Sequence, residues 1–538
     1  MVEKLSRERV NGFLHAKGRT IVNGNEEEII LTGWGLGNWL LCEGYMWRSY
    51  GSERFDRPNR MEAVIQELTG SEYANQFWTR FRDNYIQKED IELMAKLGYN
   101  SVRIPLNWRI FMEAEPGIIW KEEGFKLIDR CLDWCEKYKI YAFLDLHGAP
   151  GGQTGANIDD CIDNVPRLFI DSDSWQKGIQ LWQKMAERYK DRWIVAGYDL
   201  LNEPIAPGNA ERNFEHLVPR LEEYYDEAIA VIRRVDKKHL ISIEGHHWAT
   251  NPAIFHKKYD DNMVIHFHRY ACMPDISAYE LYMSLSEKLD TPLWLGETGE
   301  NLVEWFTAMY PLSTSLGIGY NLWPWKKMSC FNSPCSVKIP EGWDKIIAYT
   351  KGGEHPGYQQ AQETLNQYLE NMKLENCDIL DYVTQFVFRQ PGCRVRATDF
   401  DELPGKGISY SGLRSDSNEN IYRKQTGMKI VELYQPEKRR FAFDCQWDRL
   451  ALELEAEEFA VYSIYDLSDI NTVTIEYICK EDAVISIMQE DKLIIELWLT
   501  SHEEKQRTAK IPLLLAKESS VKIKVEKGKL LLDCICFD

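Results

Sequence analysis

The feature that most constrains the fold is a regular alternation of short apolar or β-branched runs with long helical patterns, from about residue 29 to residue 327. This alternation is typical of β-α units around a parallel sheet. Eight runs have the composition of strands, at residues 29–34, 100–106, 140–147, 196–203, 240–245, 263–270, 292–298 and 317–326. Eight is the number that a closed (β/α)8 barrel requires. The pattern therefore predicts an α/β fold built on a TIM barrel.

The sequence changes character after a last helix predicted at residues 359–372. From about residue 378 onward, short strand patterns are separated by turns, which is typical of an all-β sandwich. The predicted strands are residues 384–388, 441–445, 451–454, 460–464, 472–478, 483–488, 493–499, 521–525 and 530–537. We therefore expect a catalytic barrel in residues 1–374 and a C-terminal β-sandwich in residues 375–538.

Charge and cysteine content exclude several classes of function. The chain has 64 Lys and Arg against 84 Asp and Glu, a net charge of −20 at pH 7. This charge repels nucleic-acid backbones and anionic lipid, so we expect neither nucleic-acid nor membrane partners. The polar start lacks the apolar run of a signal peptide, and the 13 cysteines form no paired CxxC motifs. The sequence predicts a cytoplasmic protein with reduced thiols and no metal or other cofactor, and it leaves the oligomeric state open.

Two carboxylates stand where a barrel carries its chemistry. Glu203 follows the fourth predicted strand in the run Leu-Leu-Asn-Glu-Pro, and Glu297 follows the seventh in Trp-Leu-Gly-Glu-Thr. The carboxyl ends of the strands form the active-site face of such barrels. Glycoside hydrolysis needs one protonated and one ionised carboxyl group on either side of the scissile bond. The competing interpretation is a pair of surface carboxylates that cap helices.

Further polar and aromatic residues end the other strands, and their order resembles glycoside hydrolase family 5. The matching positions are Arg103 in Ser-Val-Arg-Ile-Pro, His147, the Asn-Glu-Pro run at 202–204, the His-x-Tyr run at 268–270, Gly296-Glu297 and Trp323. The resemblance covers roughly residues 27–328. It implies a retaining mechanism with Glu297 as nucleophile and Glu203 as acid/base.

Two longer runs narrow the resemblance within the family. Residues 33–45 and 147–155 are similar to the exo-β-1,3-glucanases and the rutinosidase-like diglycosidases. The likeness implies that Glu43 binds hydroxyls of a terminal glucose, although Glu43 could instead cap the first helix. The full set of substrate-binding residues that we expect is Glu43, Arg103, His147, Asn157, Asn202, His268, Tyr270 and Trp323.

Each implied role has a physical basis. Arg103 would keep the nucleophile ionised, and Asn202 would bond the sugar 2-hydroxyl. Tyr270 would bond Glu297, and the indole of Trp323 would form a floor under the sugar ring. His147 and His268 are expected to shape the glucose subsite rather than to act as acid or base.

The chain departs from the exo-glucanase subgroup at residues 153–157. Where the subgroup has Gln-Asn-Gly-Phe followed by Asp, this chain reads Gln-Thr-Gly-Ala-Asn. It therefore lacks a charged hydroxyl ligand and the aromatic residue that clamps the next sugar. Asn157 can still hydrogen-bond a hydroxyl, so glucose in the first subsite remains the expectation, while the β-1,3 linkage is open.

The C-terminal part is similar to the family 6 carbohydrate-binding modules in the runs 394–401, 405–410 and 532–537. Two glutamates that help to hold calcium in that family correspond here to Arg396 and Thr398, so no calcium is predicted, although Asp533 matches the closing aspartate. Core positions rather than sugar platforms are expected for three aromatic residues, Tyr410, Trp447 and Trp498.

The leading functional hypothesis is a retaining, exo-acting β-glycosidase whose partner is a carbohydrate, either a β-glucoside or a short β-glucan. An endo-β-1,4-glucanase or mannanase and a diglycosidase are alternatives with the same chemistry. A non-catalytic carbohydrate-binding protein is the alternative from a different class.

Overall fold

The computed structural model describes residues 2–402, 409–412, 422–424, 426–435, 438–465, 472–489, 491–508, 510–513 and 518–538. Residues 405–408, part of one run that resembles a carbohydrate-binding module, lie outside them. The chain divides into two compact units. The first comprises residues 1–269, 282–299 and 318–379, and the second comprises residues 270–281, 300–317 and 380–538.

The first unit contains a closed barrel of eight parallel strands, which confirms the predicted fold class. The strands are β1 (Thr32–Gly35), β2 (Ser101–Asn107), β3 (Tyr141–Gly148), β4 (Val195–Asp199), β5 (Leu240–Glu244), β6 (Met263–Arg269), β7 (Leu293–Gly299) and β8 (Gly319–Trp323). They neighbour one another in chain order, and β8 closes the barrel on β1. Almost every strand residue is buried, as the strands of a parallel barrel require.

Amphipathic helices alternate with these strands. The longer helices of the chain are Pro58–Thr69, Ser71–Tyr85, Lys88–Lys96, Glu122–Tyr138, Ser172–Tyr189, Val218–Val235, Glu280–Leu289, Val303–Ser315, Trp343–Thr350, Tyr358–Asn371 and Asp381–Val387. In Glu122–Tyr138, for example, Phe125, Ile128, Leu132 and Cys135 are buried at spacings of three and four residues. This spacing places one apolar stripe against the barrel core.

The second unit contains two antiparallel sheets. Its strands are β9 (Arg394–Arg396), β10 (Lys429–Glu432), β11 (Leu450–Glu455), β12 (Phe459–Tyr465), β13 (Thr472–Cys479), β14 (Ala483–Gln489), β15 (Lys492–Leu499), β16 (His502–Arg507), β17 (Ile511–Pro512), β18 (Glu518–Lys527) and β19 (Lys529–Phe537). One sheet has the order β10-β11-β19-β13-β16, with β9 paired to β19 and β17 paired to β13. The other has the order β12-β18-β14-β15.

Two of the predicted C-terminal strands are wrong. Residues 384–388 belong largely to the helix Asp381–Val387, which buries Val383, Phe386 and Val387 at helical spacing. The apolar run at 441–445 forms turns rather than a strand. Both runs are short, and short apolar runs do not distinguish a strand from a buried helix or loop.

The expectation of a core position is wrong for Trp498. Trp447 is fully buried, and its Nε1 donates to Asp399 Oδ2 at 3.1 Å, but the side chain of Trp498 is 76% exposed. Trp498 precedes the buried Leu499 at the end of β15, and alternate residues of a strand face opposite sides of the sheet. Tyr410 is half-buried beside Phe400.

Arg396, which corresponds to a calcium-binding glutamate of the family 6 modules, forms an ion pair with Asp533. Arg396 donates to Asp533 Oδ1 at 2.5 Å, and Lys505 lies 3.0 Å from Asp533 Oδ2. Asp533 is fully buried, so these cations compensate its charge. Over the described part of the chain, no helix has both the length and the apolar character of a membrane span.

Candidate active site

The carboxyl ends of the strands bring Glu203 and Glu297 together. One carboxylate oxygen of each, together with a ring nitrogen of His268, lie within 4.8 Å of one another. The two glutamates are 8% and 5% exposed. Two buried carboxyl groups from β7 and from the loop after β4 therefore lie side by side at this face of the barrel. Carboxyl groups about 5–5.5 Å apart are typical of retaining glycosidases, whereas inverting enzymes place them about 6.5–9.5 Å apart.

Glu203 stands on a strained backbone. Its φ is 45°, and the φ of Ile205 is 50°, both in the left-handed region that non-glycine residues rarely adopt. The strained segment is held by two contacts: the Glu203 N–H donates to Glu244 Oε2 at 2.6 Å, and the Ile205 N–H donates to Gln153 O at 3.0 Å. Strain of this kind persists only where the surroundings fix it, and it is concentrated at functional sites.

Arg103 is the electrostatic centre of the site. It is fully buried in β2 and forms ion pairs with four carboxylates. Its Nη1 donates to Glu297 Oε2 at 2.6 Å, and its Nε donates to Asp199 Oδ2 at 2.8 Å. The remaining nitrogen, Nη2, donates to Asn202 Oδ1 at 2.8 Å. One guanidinium therefore orients both Glu297 and the amide of Asn202, because its planar donors are fixed relative to one another.

His268 carries a positive charge next to both glutamates. Burial alone would lower the pKa of His268, but the carboxylates of Glu244 and Glu297 outweigh burial and raise this pKa well above its usual value. The protonated ring donates through Nδ1 to Glu203 Oε1 at 2.7 Å, and Nε2 lies 3.1 Å from Nε2 of His266. Burial lowers the pKa of His266, so His266 is neutral and accepts this second proton.

A second histidine fixes the orientation of Asn202. Burial lowers the pKa of His147 to about 4, so its ring is neutral. Because Arg103 donates to the Asn202 oxygen, the amide nitrogen of Asn202 faces His147 Nε2 at 3.2 Å. His147 Nε2 is therefore the acceptor, and its Nδ1 carries the proton towards Asp145 Oδ2 at 2.8 Å. The chain Asp145–His147–Asn202 leaves one amide proton of Asn202 for a ligand.

Trp323 is the last residue of β8 and lies against His147. Its indole stacks on the ring of His147 with centroids 5.1 Å apart, and its Nε1 donates to Tyr45 Oη at 3.0 Å. Two glycines make room for the indole, since a Cβ on Gly35 would lie 2.4 Å from the ring and one on Gly37 would lie 2.7 Å from it. The glycine-rich run after β1 is thus explained by the space that Trp323 needs.

Glu43, Asn157 and Tyr270 are the remaining expected binding residues. Glu43 is 7% exposed and makes no side-chain capping hydrogen bond to the short helix Gly44–Trp47. Asn157 is exposed and lines a cavity formed by the loops after the strands. Tyr270 belongs to the second unit, where its ring stacks on Phe443 with centroids 4.7 Å apart. The proposed contacts of these three residues with sugar, and of Tyr270 with Glu297, stay predictions.

Comparison with known proteins assigns the family. The family described as Cellulase (glycosyl hydrolase family 5) matches residues 61–329, which is half of the chain. The chain belongs to glycoside hydrolase family 5. The matched region contains β2 to β8 and therefore both candidate catalytic glutamates.

Several curated proteins are similar to the chain. A β-xylosidase from Phanerodontia chrysosporium is 31% identical over 274 residues, covering 51% of this chain and 55% of the relative. Endoglucanase C from Acetivibrio thermocellus is 30% identical over 190 residues, covering 35% and 51%. A probable glucan 1,3-β-glucosidase A from Aspergillus clavatus is 26% identical over 235 residues, covering 43% and 52%. The chain thus spans about half the length of these relatives.

Sequence reasoning missed a layer of charged residues beneath the two glutamates. They are Asp145, Asp199, Glu244 and His266, all with no exposed surface. Each lies within β3 to β6, where it resembles an ordinary strand residue. The signal that could have identified them is a charged residue inside an otherwise apolar strand pattern, because such a residue must be paired when it is buried.

Three clusters have ligand atoms close enough to hold a metal: Glu203 with His268 and Glu297, Glu244 with His266 and His268, and Glu476 with Cys534 and Cys536. In the barrel clusters, His268 is hydrogen-bonded to Glu203 Oε1 at 2.7 Å and lies 3.3 Å from Glu244 Oε1. In the third cluster, Arg394 donates to both Cys534 Sγ and Glu476 Oε2. In each of the three clusters, ligand atoms also take part in hydrogen bonds or ion pairs within the protein.

Proposed function

We propose that the protein is a retaining, exo-acting β-glycosidase that hydrolyses β-glucosides or short β-glucans. The observation that carries this proposal is the geometry of Glu203 and Glu297, whose carboxylate oxygens lie within 4.8 Å across the barrel mouth, with Arg103 donating to Glu297 at 2.6 Å. Membership of glycoside hydrolase family 5 supports it.

The reaction proceeds in two displacements. An oxygen of Glu297 attacks the anomeric carbon while Glu203 gives a proton to the glycosidic oxygen, so the C–O bond to the leaving group breaks and a glycosyl ester of Glu297 forms. Glu203, now ionised, removes a proton from a water that attacks the same carbon and releases Glu297. Asn202, oriented by Arg103 and His147, donates to the sugar 2-hydroxyl, and this bond strengthens in the transition state.

The proposed function is tested with purified protein and a panel of substrates, comprising aryl β-glucosides and β-xylosides, laminari-oligosaccharides and cello-oligosaccharides. Exo action predicts release of one sugar unit at a time from the non-reducing end. The Glu297→Ala variant is the control: it should be inactive and should regain turnover with azide, giving a glycosyl azide of inverted configuration. No hydrolysis of any glycoside by the wild type would refute the enzyme and support a carbohydrate-binding protein.

An endo-acting β-glucanase is the second candidate, because an endoglucanase is among the similar proteins. Internal cleavage would produce a ladder of oligosaccharides and a rapid fall in polymer viscosity. Release of a disaccharide from its aglycone would instead indicate a diglycosidase, and mannan hydrolysis would indicate a mannanase. Each of these outcomes keeps the two glutamates in their roles and changes only the substrate.

A cytoplasmic location also remains part of the proposal. None of the thirteen cysteines, all of which lie in the described ranges, is assigned to a disulfide, and most of them are buried. Free, buried thiols are typical of proteins from reducing compartments. Fractionation of cells that produce the protein from its own gene would test the location, and recovery from the medium would contradict it.

A further inference from the structure

A cavity of about 350 Å³ lies in the first unit, among residues that the catalytic scheme does not use. Its walls come from the helices Pro58–Thr69 and Ser71–Tyr85, from the loop after β1, and from the end of β2 with the segment that follows. The volume falls at the lower end of the range for small-molecule sites, about 300–1,000 Å³. The cavity therefore has room for a small metabolite.

One face of the helix Ser71–Tyr85 supplies a row of polar groups to the cavity. Residues three and four apart on a helix lie on the same face. Four residues at this spacing line the cavity, namely Asn75, Trp78, Thr79 and Arg82. Trp39 Nε1 donates to the backbone oxygen of Arg82 at 2.8 Å, which joins this helix to the loop after β1. The row of polar groups is thus held against a second wall of the cavity.

Arg82 brings a poorly compensated positive charge to this wall. Its guanidinium forms no hydrogen bond or ion pair with any residue in the described ranges. Burial lowers the pKa of Arg82, and the charge of Glu62 offsets this effect only in part. Arg109, which also lines the cavity, pairs with both Glu62 and Asp160. The charge of Arg109 is therefore compensated within the protein, whereas the charge of Arg82 suits an anionic ligand.

A second hydrogen-bond donor of the cavity wall also lacks an acceptor. Trp78 is 8% exposed, and its Nε1 has no hydrogen-bond partner among the residues that the structure describes. A buried indole N–H usually finds a partner, because leaving it unpaired costs free energy. Trp78 lies one helical turn before Arg82, on the same face of the helix. Two neighbouring donors therefore call for an acceptor that the protein does not supply.

The lining favours a small anion over a neutral or apolar ligand. A guanidinium binds a carboxylate or a phosphate through two parallel hydrogen bonds. Lys121, in the segment after β2, donates to Arg109 O at 2.9 Å and has further N–H donors, since an ammonium carries three. A ligand with a second anionic group can use this cation as well. A purely apolar ligand would bury these donors without acceptors.

We propose that this cavity binds a small organic anion, whose carboxylate or phosphate group accepts hydrogen bonds from Arg82 and Trp78. A second anionic group of the same ligand pairs with Lys121. Dicarboxylates and phosphorylated metabolites have this chemistry. The inference goes beyond the proposed function and does not depend on it, because the catalytic scheme uses none of these residues.

The test is isothermal titration calorimetry of the full chain in an anion-poor buffer. The anionic probes are inorganic phosphate, glucose 6-phosphate, succinate and citrate, and the neutral probes are glucose and succinamide. At least one anionic probe should bind with one site per chain, and its affinity should fall as sodium chloride is added. Tighter binding of the phosphates than of succinate and citrate would identify a phosphate ligand, and the reverse order would identify a carboxylate.

The site is located with variants of one helix. Arg82→Gln should lower the affinity for the anionic probe at least about tenfold. Arg80→Gln is the matched control, since it removes the same charge from the same helix at an exposed residue that bonds Asn366 Oδ1 at 2.8 Å. This control should leave the affinity within about twofold of the wild-type value.

Two milder variants separate the roles of charge and hydrogen bonding. Arg82→Lys keeps the charge but loses the planar fork, so its affinity should lie between those of the wild type and Arg82→Gln. Trp78→Phe keeps an aromatic ring without the N–H and should lower the affinity about three- to tenfold. Circular dichroism checks that each variant is folded. If Arg82→Gln does not fold, Arg82→Lys and Trp78→Phe carry the comparison.

The outcomes separate this inference from the proposed function. No binding of any anionic probe at millimolar concentration would overturn the anion site and leave the glycosidase untouched. Binding that is unchanged in both Arg82 variants, or neutral glucose binding that Arg82→Gln abolishes, would overturn it too. A protein that binds the anion through Arg82 but hydrolyses no glycoside would instead refute only the proposed function.

Discussion

Single buried side chains decide the chemistry of this barrel, and Arg103 is the clearest case. Its guanidinium contacts Glu297, Asp199 and Asn202 through separate nitrogens. A lysine offers one compact ammonium and cannot span these partners. If the ion pairs of Arg103 are lost, buried carboxylates stay without a compensating charge. Breaking a buried ion pair in this way typically lowers the free energy of unfolding by about 3–5 kcal/mol.

We therefore expect Arg103→Lys to lower the free energy of unfolding by about 3 kcal/mol or more and kcat/KM at least about 100-fold. Urea denaturation and steady-state kinetics measure the two effects. Arg188→Lys is the matched control, because Arg188 pairs with Asp129 and Glu122 on the surface and its replacement should change stability by less than about 0.5 kcal/mol. An Arg103→Lys variant with wild-type stability and activity would contradict the central role of Arg103.

The buried carboxylate of Glu244 should influence how kcat/KM depends on pH. Its carboxylate helps to raise the pKa of His268, so the charge on His268 stabilises the fold at low pH and is lost as pH rises through the raised, folded-state value. In Glu244→Gln the pKa of His268 falls, so His268 loses the proton that it donates to Glu203 at a lower pH. The alkaline limb of the kcat/KM profile should therefore move to lower pH. Glu222→Gln, at a carboxylate 3.4 Å from the exposed His256, should leave the profile unchanged. An unshifted alkaline limb in Glu244→Gln would rule out this role.

The sequence identifies the outer residues of the site better than the inner ones. Glu203, Glu297 and Arg103 stand in short motifs at strand ends, where a barrel fold assigns them to one face. Glu244 and His266 have no such motif, and their importance follows only from distances across neighbouring strands.

Among the strands and helices, the barrel is easier to predict than the second unit. All eight barrel strands lie within a few residues of their predicted positions because each is a buried apolar run next to amphipathic helices. In the second unit, β9, β10, β16 and β17 have no predicted counterpart. β16 is almost wholly exposed, with five of its six residues in solvent, so it has no hydrophobic alternation to recognise.

Two tryptophans of the second unit test the assignment of its core. Trp447 is fully buried and donates to Asp399, whereas Trp498 lies on the outer side of β15. Trp447→Ala should lower the free energy of unfolding by about 3–5 kcal/mol. Trp498→Ala should change it by less than about 0.5 kcal/mol. Chemical denaturation followed by circular dichroism measures both, and equal effects would contradict the alternation of β15.

For the whole molecule, the family match covers most of the barrel but little of the second unit. The family match covers residues 61–329, and of the second unit it includes only residues 270–281 and 300–317. The likeness to a family 6 carbohydrate-binding module and the division at residue 374 stay predictions. The absence of nucleic-acid partners, which we expect from the net charge of −20, stays a prediction.

The central claim is that Glu297 forms a covalent bond with the glycone. The most direct measurement is mass spectrometry of the intact protein and its peptides after incubation with 2,4-dinitrophenyl 2-deoxy-2-fluoro-β-glucoside, whose fluorine slows hydrolysis of the glycosyl ester. The account predicts one fluoroglycosyl group per chain, located on the peptide that contains Glu297, and no labelling of Glu297→Ala. Labelling of Glu203 instead, or turnover of glycosides with inversion and without any covalent adduct, would contradict it.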